Sequence, residues 1–331
     1  MNVATGTELG RDPLVKVEGA QRLARQDSIF SGATFLCAMA VLVVFAGMLI
    51  ALGMGAWPAY KTFGLNFFTT EIWNPVKDRY GILGPILGTL ITSALAMALA
   101  VPVGIGIAIF LTEICPRPLR RPVAIDIELL AGIPSIIYGI WGLFVFAPFF
   151  QAHIQPLIIA LFAPIPWLQV VFAGPPYGIG MFTASLILGI MILPLISSVT
   201  RDVFETVPPM LKEAAYGLGS TTWEVIWRVV LPYSRAGVVG GGMLALGRAL
   251  GETMAVTFVI GNAHKINPSL FAPGTTISAA IANEFSEATT PLYVSALLGA
   301  GLFLFLVTFI VLAAAQLMLQ QLDKRSGGAK L

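Results

Sequence analysis

The sequence predicts an all-α, polytopic membrane protein with six transmembrane helices and both termini cytoplasmic. Composition, the length of the apolar runs and the placement of basic residues each point there. Of 331 residues, 57% are hydrophobic and 11% charged, less than half the roughly 25% charged that is usual in a soluble domain. A mean hydropathy of +0.86 leaves too little polar surface to coat a globule in water. This excludes a cytosolic enzyme, a disordered chain and a free nucleic-acid binder, and a formal charge of +2 calls for no polyanionic partner. Cys37 lies in an apolar run and Cys115 beside a basic loop, which is no disulfide framework.

Apolar runs near the roughly 20 residues that cross a bilayer as a helix fall at 30–55, 84–112, 123–150, 181–200, 236–261 and 292–319. The implied organisation is a cytoplasmic segment 1–29, a first helix 30–55, a five-helix core over 84–319 containing a cytoplasmic loop 201–235, and a tail 320–331. The run 30–55 follows Arg22 and Arg25 but is too long for the apolar region of a signal peptide and lacks a small-x-small cleavage site, so it is expected to stay as a helix. The stretch 156–172 holds Pro156, Pro164 and Pro166 and suits an interfacial or re-entrant element better than a span.

Orientation follows from the basic residues. Six spans with the N-terminus inside put 14 of the 19 Lys and Arg on the inner side, among them Arg11, Lys16, Arg117, Arg120, Arg121, Arg201, Lys212, Arg228 and Arg235. Only Lys61, Lys77, Arg79 and Lys265 lie outside, and Arg248 falls within a span. Treating 156–172 as a seventh span inverts everything after it and gives 8 inside against 10 outside. The loops 56–82, 151–180 and 262–291 then face outward, and the only long cytoplasmic loop is 201–235.

That loop reads as two short amphipathic helices meeting at a turn. Pro208 and Pro209 suit a first helical turn, where a missing N–H costs little. Leu211, Ala214, Ala215 and Leu218 recur at helical spacing, and Gly219 supplies a stop. Thr221 then caps a second start with Glu224 three residues on, Trp223, Ile226, Trp227 and Val230 form an apolar stripe, and Pro232 ends it. Spacing alone leaves two readings open: a hairpin lying on the inner leaflet, or a docking element for a partner.

The fifth run contains Gly247-Arg-Ala-Leu-Gly-Glu252, which puts Arg248 and Glu252 one turn apart on one helix face near mid-bilayer. A charge at that depth costs about 2.5–3.5 kcal/mol on insertion scales. One reading is an internal ion pair that locks the bundle. The other is a polar lining to a substrate path, in which the planar fork of Arg248 suits phosphate-like oxyanions. Glycines 237, 240, 241, 242, 247 and 251 read as sites of close helix packing rather than ligands.

Glu213-Ala214-Ala215, then Gly219, then Val229-Val230-Leu231-Pro232 resembles the E-A-A-x3-G-x9-I-x-L-P loop of ABC-importer permeases, departing only in Val229 for Ile. Leu246 to Ala255 (LGRALGETMA) and Glu128 to Gly139 (ELLAGIPSIIYG) resemble the PstC-type permease of phosphate-specific ABC importers, from about residue 20 to 322. The related PstA-type permease typically runs to Ala-Pro after the Glu, where this chain has Thr253-Met254-Ala255. The resemblance implies a bacterial inner-membrane subunit for phosphate import. Its partners would be a sister permease, two copies of an ATPase subunit, a periplasmic or extracellular phosphate-binding protein, inorganic phosphate and membrane lipid, with no nucleic acid. It assigns ATPase coupling to Glu213, Ala214, Ala215 and Gly219 and a place on the substrate path to Arg248 and Glu252.

Asp126 and Glu128 are expected to open the third helix, where carboxylates suit a helix N-terminus. His153 and His264 lie in separate loops without metal-ligand spacing, and Pro102, Pro134 and Pro194 are expected to kink spans. No cofactor is expected. The sequence has no G-x-x-x-x-G-K-[ST], G-x-S-x-G or H-E-x-x-H, so ATP hydrolysis would belong to a partner. A secondary transporter would also explain a mid-span Arg and Glu but needs no ATPase-docking loop, and an intramembrane enzyme would need a cluster that is absent. A sulfate or molybdate permease is the nearest rival, because one Arg does not separate tetrahedral oxyanions. The topology is testable: with Cys37 and Cys115 replaced, a Ser220→Cys thiol is expected to resist an impermeant reagent applied to intact cells. Labelling from outside contradicts the six-span arrangement.

Overall fold

The structure, a computed structural model, describes the backbone of residues 13–325 and the side chains of 26–320. Arg11, Lys16, Arg22 and Arg25, and Lys324, Arg325 and Lys330, which contribute to the expected orientation, therefore have side chains outside the described residues. The helices are α1 (Pro13–Phe63), α2 (Leu83–Ile114), α3 (Arg117–Ala131), α4 (Ser135–Phe162), α5 (Pro166–Val171) and α6 (Met181–Glu205). They continue with α7 (Pro209–Gly217), α8 (Thr222–Gly251), α9 (Met254–Thr257), α10 (Ile277–Glu284) and α11 (Pro291–Arg325). Six of them are long and apolar enough to cross a membrane: α1, α2, α4, α6, α8 and α11.

The chain divides between Met54 and Gly55 into two units. In the first, the residues whose side chains are described, 26–54, belong to one helix that is largely apolar and mostly exposed, including Phe30, Phe35, Val41 and Val44. That is the signature of a helix solvated by lipid rather than by a polar face and a core. In the second unit, α2 and α6 form the central pair. Ala96, Ala100, Gly104 and Ala108 recur every four residues along α2 and are all buried. A Cβ on Gly104 would stand 2.7 Å from Ile196 of α6, so the small residues set how closely the two backbones approach. Ile187, Leu188, Ile192 and Ile196 of α6 fill the surrounding core with Ala245 and Ala249 of α8.

The third span differs from expectation. The run 123–150 is not one helix: α3 stops at Ala131, Gly132 and Ile133 intervene, and α4 restarts at Ser135. Pro134 cannot donate into a helix and its ring disfavours a helical residue before it, so it separates two helices rather than kinking one. Asp126 and Glu128 consequently lie in the second half of α3 and open nothing, and Glu128 pairs with Arg201 of α6 at 2.8 Å. Nor is 156–172 a single interfacial or re-entrant element. Its first part completes α4 through Phe162, and its second forms α5.

One physical device accompanies four of the prolines. Wide, π-type turns occupy Phe110–Ile114, Gly142–Phe146, Phe150–Ile154 and Ile226–Val230. Each ends two residues before a proline: Pro116, Pro148, Pro156 and Pro232. The N–H just before each proline donates five residues back, as from Gln155 to Phe150 and from Leu231 to Ile226. The extra residue in the turn takes up the carbonyl clash and the missing donor that proline imposes. Helix α4 thereby continues through Pro156, and α8 continues through Pro232, which does not end the second loop helix. Pro102 and Pro194 lie inside α2 and α6.

At the end of the bundle where α10 lies, the chain folds back on itself. Gly88 of α2 faces this segment so closely that a Cβ there would lie 1.9 Å from the Thr275 carbonyl oxygen. Thr89 Oγ1 accepts the Ile277 N–H at 3.0 Å. Gly88→Ala is therefore expected to lower thermal stability in detergent by about 3 kcal/mol, the upper end for overpacking. Gly242→Ala, where nothing lies within 4 Å, is expected to change it by less than about 1 kcal/mol, with the sign favouring Ala. Equal effects at the two positions would contradict the packing described.

Candidate functional site

Helix α8 carries the charged segment, and its glycines decide which face remains open. A Cβ on Gly237 would come within 2.5 Å of Val203 and one on Gly241 within 2.8 Å of Val199, both on α6. Gly247 sits 3.4 Å from Leu312 of α11 by the same measure. These contacts use two sides of the helix. Leu244, Arg248 and Gly251 recur at i, i+4 and i+7 on the remaining side, and all three are exposed. Gly242 and Gly251 have nothing within 4 Å, so these two of the predicted packing glycines pack against none of the described residues.

Arg248 and Glu252 do not share a helical face. Helix α8 ends at Gly251, and Glu252 is extended at φ −69° and ψ 128°. Its Oε1 accepts the Ala255 N–H at 3.2 Å, which satisfies a free donor in the first turn of α9. Its own carbonyl accepts from Ser278 Oγ of α10 at 2.7 Å. Glu252 thus belongs to the start of the next helix. Among the described residues, the ion pairs are Arg201 with Glu128 and Asp202, Lys212 with Glu113, and His264 with Glu284; Arg248 joins none of them. The guanidinium sits in the last turn of α8, where a cation complements the helix dipole. Its charge reaches the Tyr138 hydroxyl of α4, which donates to the Leu130 carbonyl at 2.8 Å. Gly139 lets α9 approach α4, since a Cβ there would be 3.0 Å from the Met254 carbonyl oxygen. The arrangement presents one unpaired cation beside a break between two helices.

The second candidate element, α7, forms as the sequence predicts. Pro209 opens it and Gly219 follows it at φ +85°, the left-handed conformation that glycine adopts without strain. The Ser220 N–H returns to the Ala215 carbonyl at 3.1 Å. Thr221 and Glu224 make the predicted reciprocal cap, with the Thr221 N–H on Glu224 Oε2 at 2.9 Å. Glu213, Ala214 and Gly219 are exposed and Ala215 is half-buried. Met210 and Leu218 are 77% and 89% exposed, an apolar face that none of the described residues covers. The underside is anchored. Ala215 packs on a core of Ala108, Phe204, Val207, Val225 and Val230, drawn from α2, α6, α8 and the α6–α7 link. Lys212 Nζ meets Glu113 Oε1 of α2 at 2.6 Å, with Glu113 largely buried. Nothing in the sequence signals this pair, whose members lie 99 residues apart.

At the opposite end, His264 stacks on Trp73 at 4.9 Å and its Nε2 lies 3.2 Å from Glu284 Oε1. The other carboxylate oxygen of Glu284 accepts from Trp73 Nε1 at 3.0 Å and from the Tyr293 hydroxyl. Burial holds His264 below the usual imidazole pKa, and Glu284 offsets part of that. His153 stands apart on α4, and among the described residues no group of three or more His, Cys, Asp or Glu side chains is placed to hold a metal.

Comparison with known proteins adds sequence and fold relatives. The family described as "Binding-protein-dependent transport system inner membrane component" matches residues 100–326. The phosphate transport system permease protein PstC of Mesorhizobium japonicum is 63% identical over 307 residues, covering 93% of this chain and 94% of its own. The protein of the same name from Pasteurella multocida is 56% identical, covering 90% of this chain and 93% of its own. In fold, the chain is similar to a chain of a bacterial ABC transporter involved in import of the acidic polysaccharide alginate, with TM-score 0.60, 16% identity, and coverage of 91% of this chain and 98% of that one.

Because Glu252 caps α9 rather than pairing with Arg248, the two residues are expected to act independently on stability. In a double-mutant cycle of Arg248→Gln and Glu252→Gln, read by unfolding in detergent, the coupling is expected below about 0.5 kcal/mol. A coupling of about 1 kcal/mol or more would restore the ion pair and contradict the geometry.

Proposed function

This chain belongs to the family of binding-protein-dependent transport system inner membrane components, and on that premise we propose that it is the permease subunit of an ATP-driven phosphate importer. It is a multi-pass inner-membrane protein with an ABC-importer permease fold. The names of its relatives supply the substrate class. Its termini and α7 face the cytoplasm. A sister permease lies against it, two ATPase subunits sit beneath, and a phosphate-binding protein delivers substrate from outside. The chain itself carries no chemistry, because ATP hydrolysis belongs to the partner.

The observation that carries this reading is α7: an exposed helix with the Glu213-Ala214-Ala215 motif, whose base is tied to α2, α6 and α8. A helix merely resting on lipid has no need of a buried ion pair to a span. A helix that transmits a pull from a partner does, since a push on α7 then moves α2 through Lys212–Glu113 and α6 and α8 through the shared core. Arg248 supplies the selective element of the path. On the exposed face of α8, and with no carboxylate committed to it, its guanidinium is available to accept a tetrahedral oxyanion by two parallel hydrogen bonds. Glu252 acts as the cap that ends α8 and positions Arg248 in its last turn. Gly251 keeps the adjoining surface free of side chain. Sulfate or molybdate remains the alternative cargo, since the same fork accepts either.

Glu213→Lys reverses the charge on α7 without touching a span. The variant is expected to insert and fold normally, co-purify with less ATPase subunit, and show phosphate uptake in reconstituted vesicles reduced tenfold or more, about 1.4 kcal/mol of lost coupling. Uptake by the unaltered complex is expected to follow ATP and to ignore an imposed ion gradient. Full uptake by the variant would remove α7 from coupling, and gradient-driven uptake without ATP would make the protein a secondary transporter.

A further inference from the structure

At the end of the bundle that carries α7, four arginines line one cavity. Helix α3 begins directly after α2, and Arg117, Arg120 and Arg121 follow at i, i+3 and i+4 in its first turns, on one side of the helix. The last turns of α6 bring Arg201 and Glu205 opposite them. These five residues and Ala124 line a cavity of about 310 Å³. Arg201 is held by Glu128 at 2.8 Å and Asp202 at 2.9 Å. Arg120 donates from Nη2 to the Thr112 carbonyl, while its Nε is buried with no partner. Arg117 and Arg121 are exposed, and neither has an ion-pair partner among the described residues. Even with Glu205 and both carboxylates on Arg201 counted, positive charge is in excess.

A bias of basic residues toward the cytoplasmic side requires only that they be near the membrane. It does not require them to surround one cavity or to bury an unpartnered Nε. Helix α3 also exposes Leu119, Ile125 and Leu129, which with the arginines is the pattern of a helix lying at a membrane interface. We propose that this cavity binds a phosphate group, presented either by an anionic phospholipid headgroup or as inorganic phosphate. Guanidiniums with spare N–H groups suit phosphate oxygens better than ammonium groups do, and the cavity is large enough for a headgroup. Only the placement of the cavity on the cytoplasmic side rests on the function proposed above.

The test uses the full-length chain purified in detergent and carrying Arg248→Gln, so that an anion on the transport path is not counted. Binding of dioctanoyl phosphatidylglycerol and dioctanoyl phosphatidylcholine is read by native mass spectrometry, and binding of inorganic phosphate by equilibrium dialysis. Arg117→Gln/Arg121→Gln is expected to weaken binding roughly fivefold for each guanidinium removed. Glu205→Gln, which removes the opposing carboxylate, is expected to strengthen it, a gain that misfolding cannot imitate. Preference for phosphatidylglycerol over phosphatidylcholine, lost in the double variant, identifies the headgroup. Binding of inorganic phosphate, lost in the double variant, identifies the free ion. Binding that is the same with and without Arg117 and Arg121, no binding of either probe, or no gain from Glu205→Gln overturns the proposal.

Discussion

A helix that stops inside a membrane leaves carbonyls behind it and amides ahead of it, with no water to satisfy either. At the break between α8 and α9, Thr253 Oγ1 donates to the Gly251 carbonyl at 3.3 Å and Glu252 meets a further part of this demand. Glu252 turns its carboxylate forward to the Ala255 N–H and offers its carbonyl to Ser278 of α10. Glu252 lies beyond the end of α8, off the face that carries Arg248, and the two side chains form no ion pair. The cation that the sequence places one turn earlier therefore stands unpaired on the open side of α8, and the anion-path reading rests on that division of labour. An unpaired Arg at depth costs about 2.5–3.5 kcal/mol on insertion scales, a cost that favours an environment with water or an anion against the guanidinium.

The same logic of reassigned hydrogen bonds runs through the rest of the bundle. Pro148, Pro156 and Pro232 would interrupt helices, yet each follows a wide turn that moves the donors by one residue. This keeps α4 continuous through Pro148 and Pro156 and α8 continuous through Pro232. Continuity matters most for α8. Its first turns share a core with α7 through Val225 and Val230, and its last turn carries Arg248. A displacement of α7 can thus reach the charged face without crossing a flexible joint. The Lys212–Glu113 pair gives α2 a second, independent tie to the same helix.

What was legible in the sequence was local. The left-handed Gly219, the Thr221–Glu224 cap and the Pro209 start depend on neighbouring residues and formed as read. The six spans were legible as runs of apolar residues, but their ends were not. The prolines argue for an interfacial or re-entrant element at 156–172 and for a helix end at Pro232, and the wide turns that carry the helices through Pro156 and Pro232 leave no compositional trace. The shared face of Arg248 and Glu252 was inferred by extending helical periodicity past Gly251. The end of that helix is set in part by Ser278, 26 residues further on. Glu128 and Glu113 likewise meet their partners only through tertiary packing, so neither Arg201–Glu128 nor Lys212–Glu113 could be read from spacing.

The availability of Arg248 to an anion is measured most directly by placing a thiol beside it and leaving the guanidinium intact. In a chain with Cys37 and Cys115 removed, Gly251→Cys, on the same exposed face of α8 and with nothing within 4 Å, is assembled with its partners in vesicles and exposed to the small anionic reagent sulfonatoethyl methanethiosulfonate. The account predicts that the thiol reacts and that inorganic phosphate slows the reaction. A thiol that never reacts, or that reacts at a rate indifferent to phosphate, would contradict it.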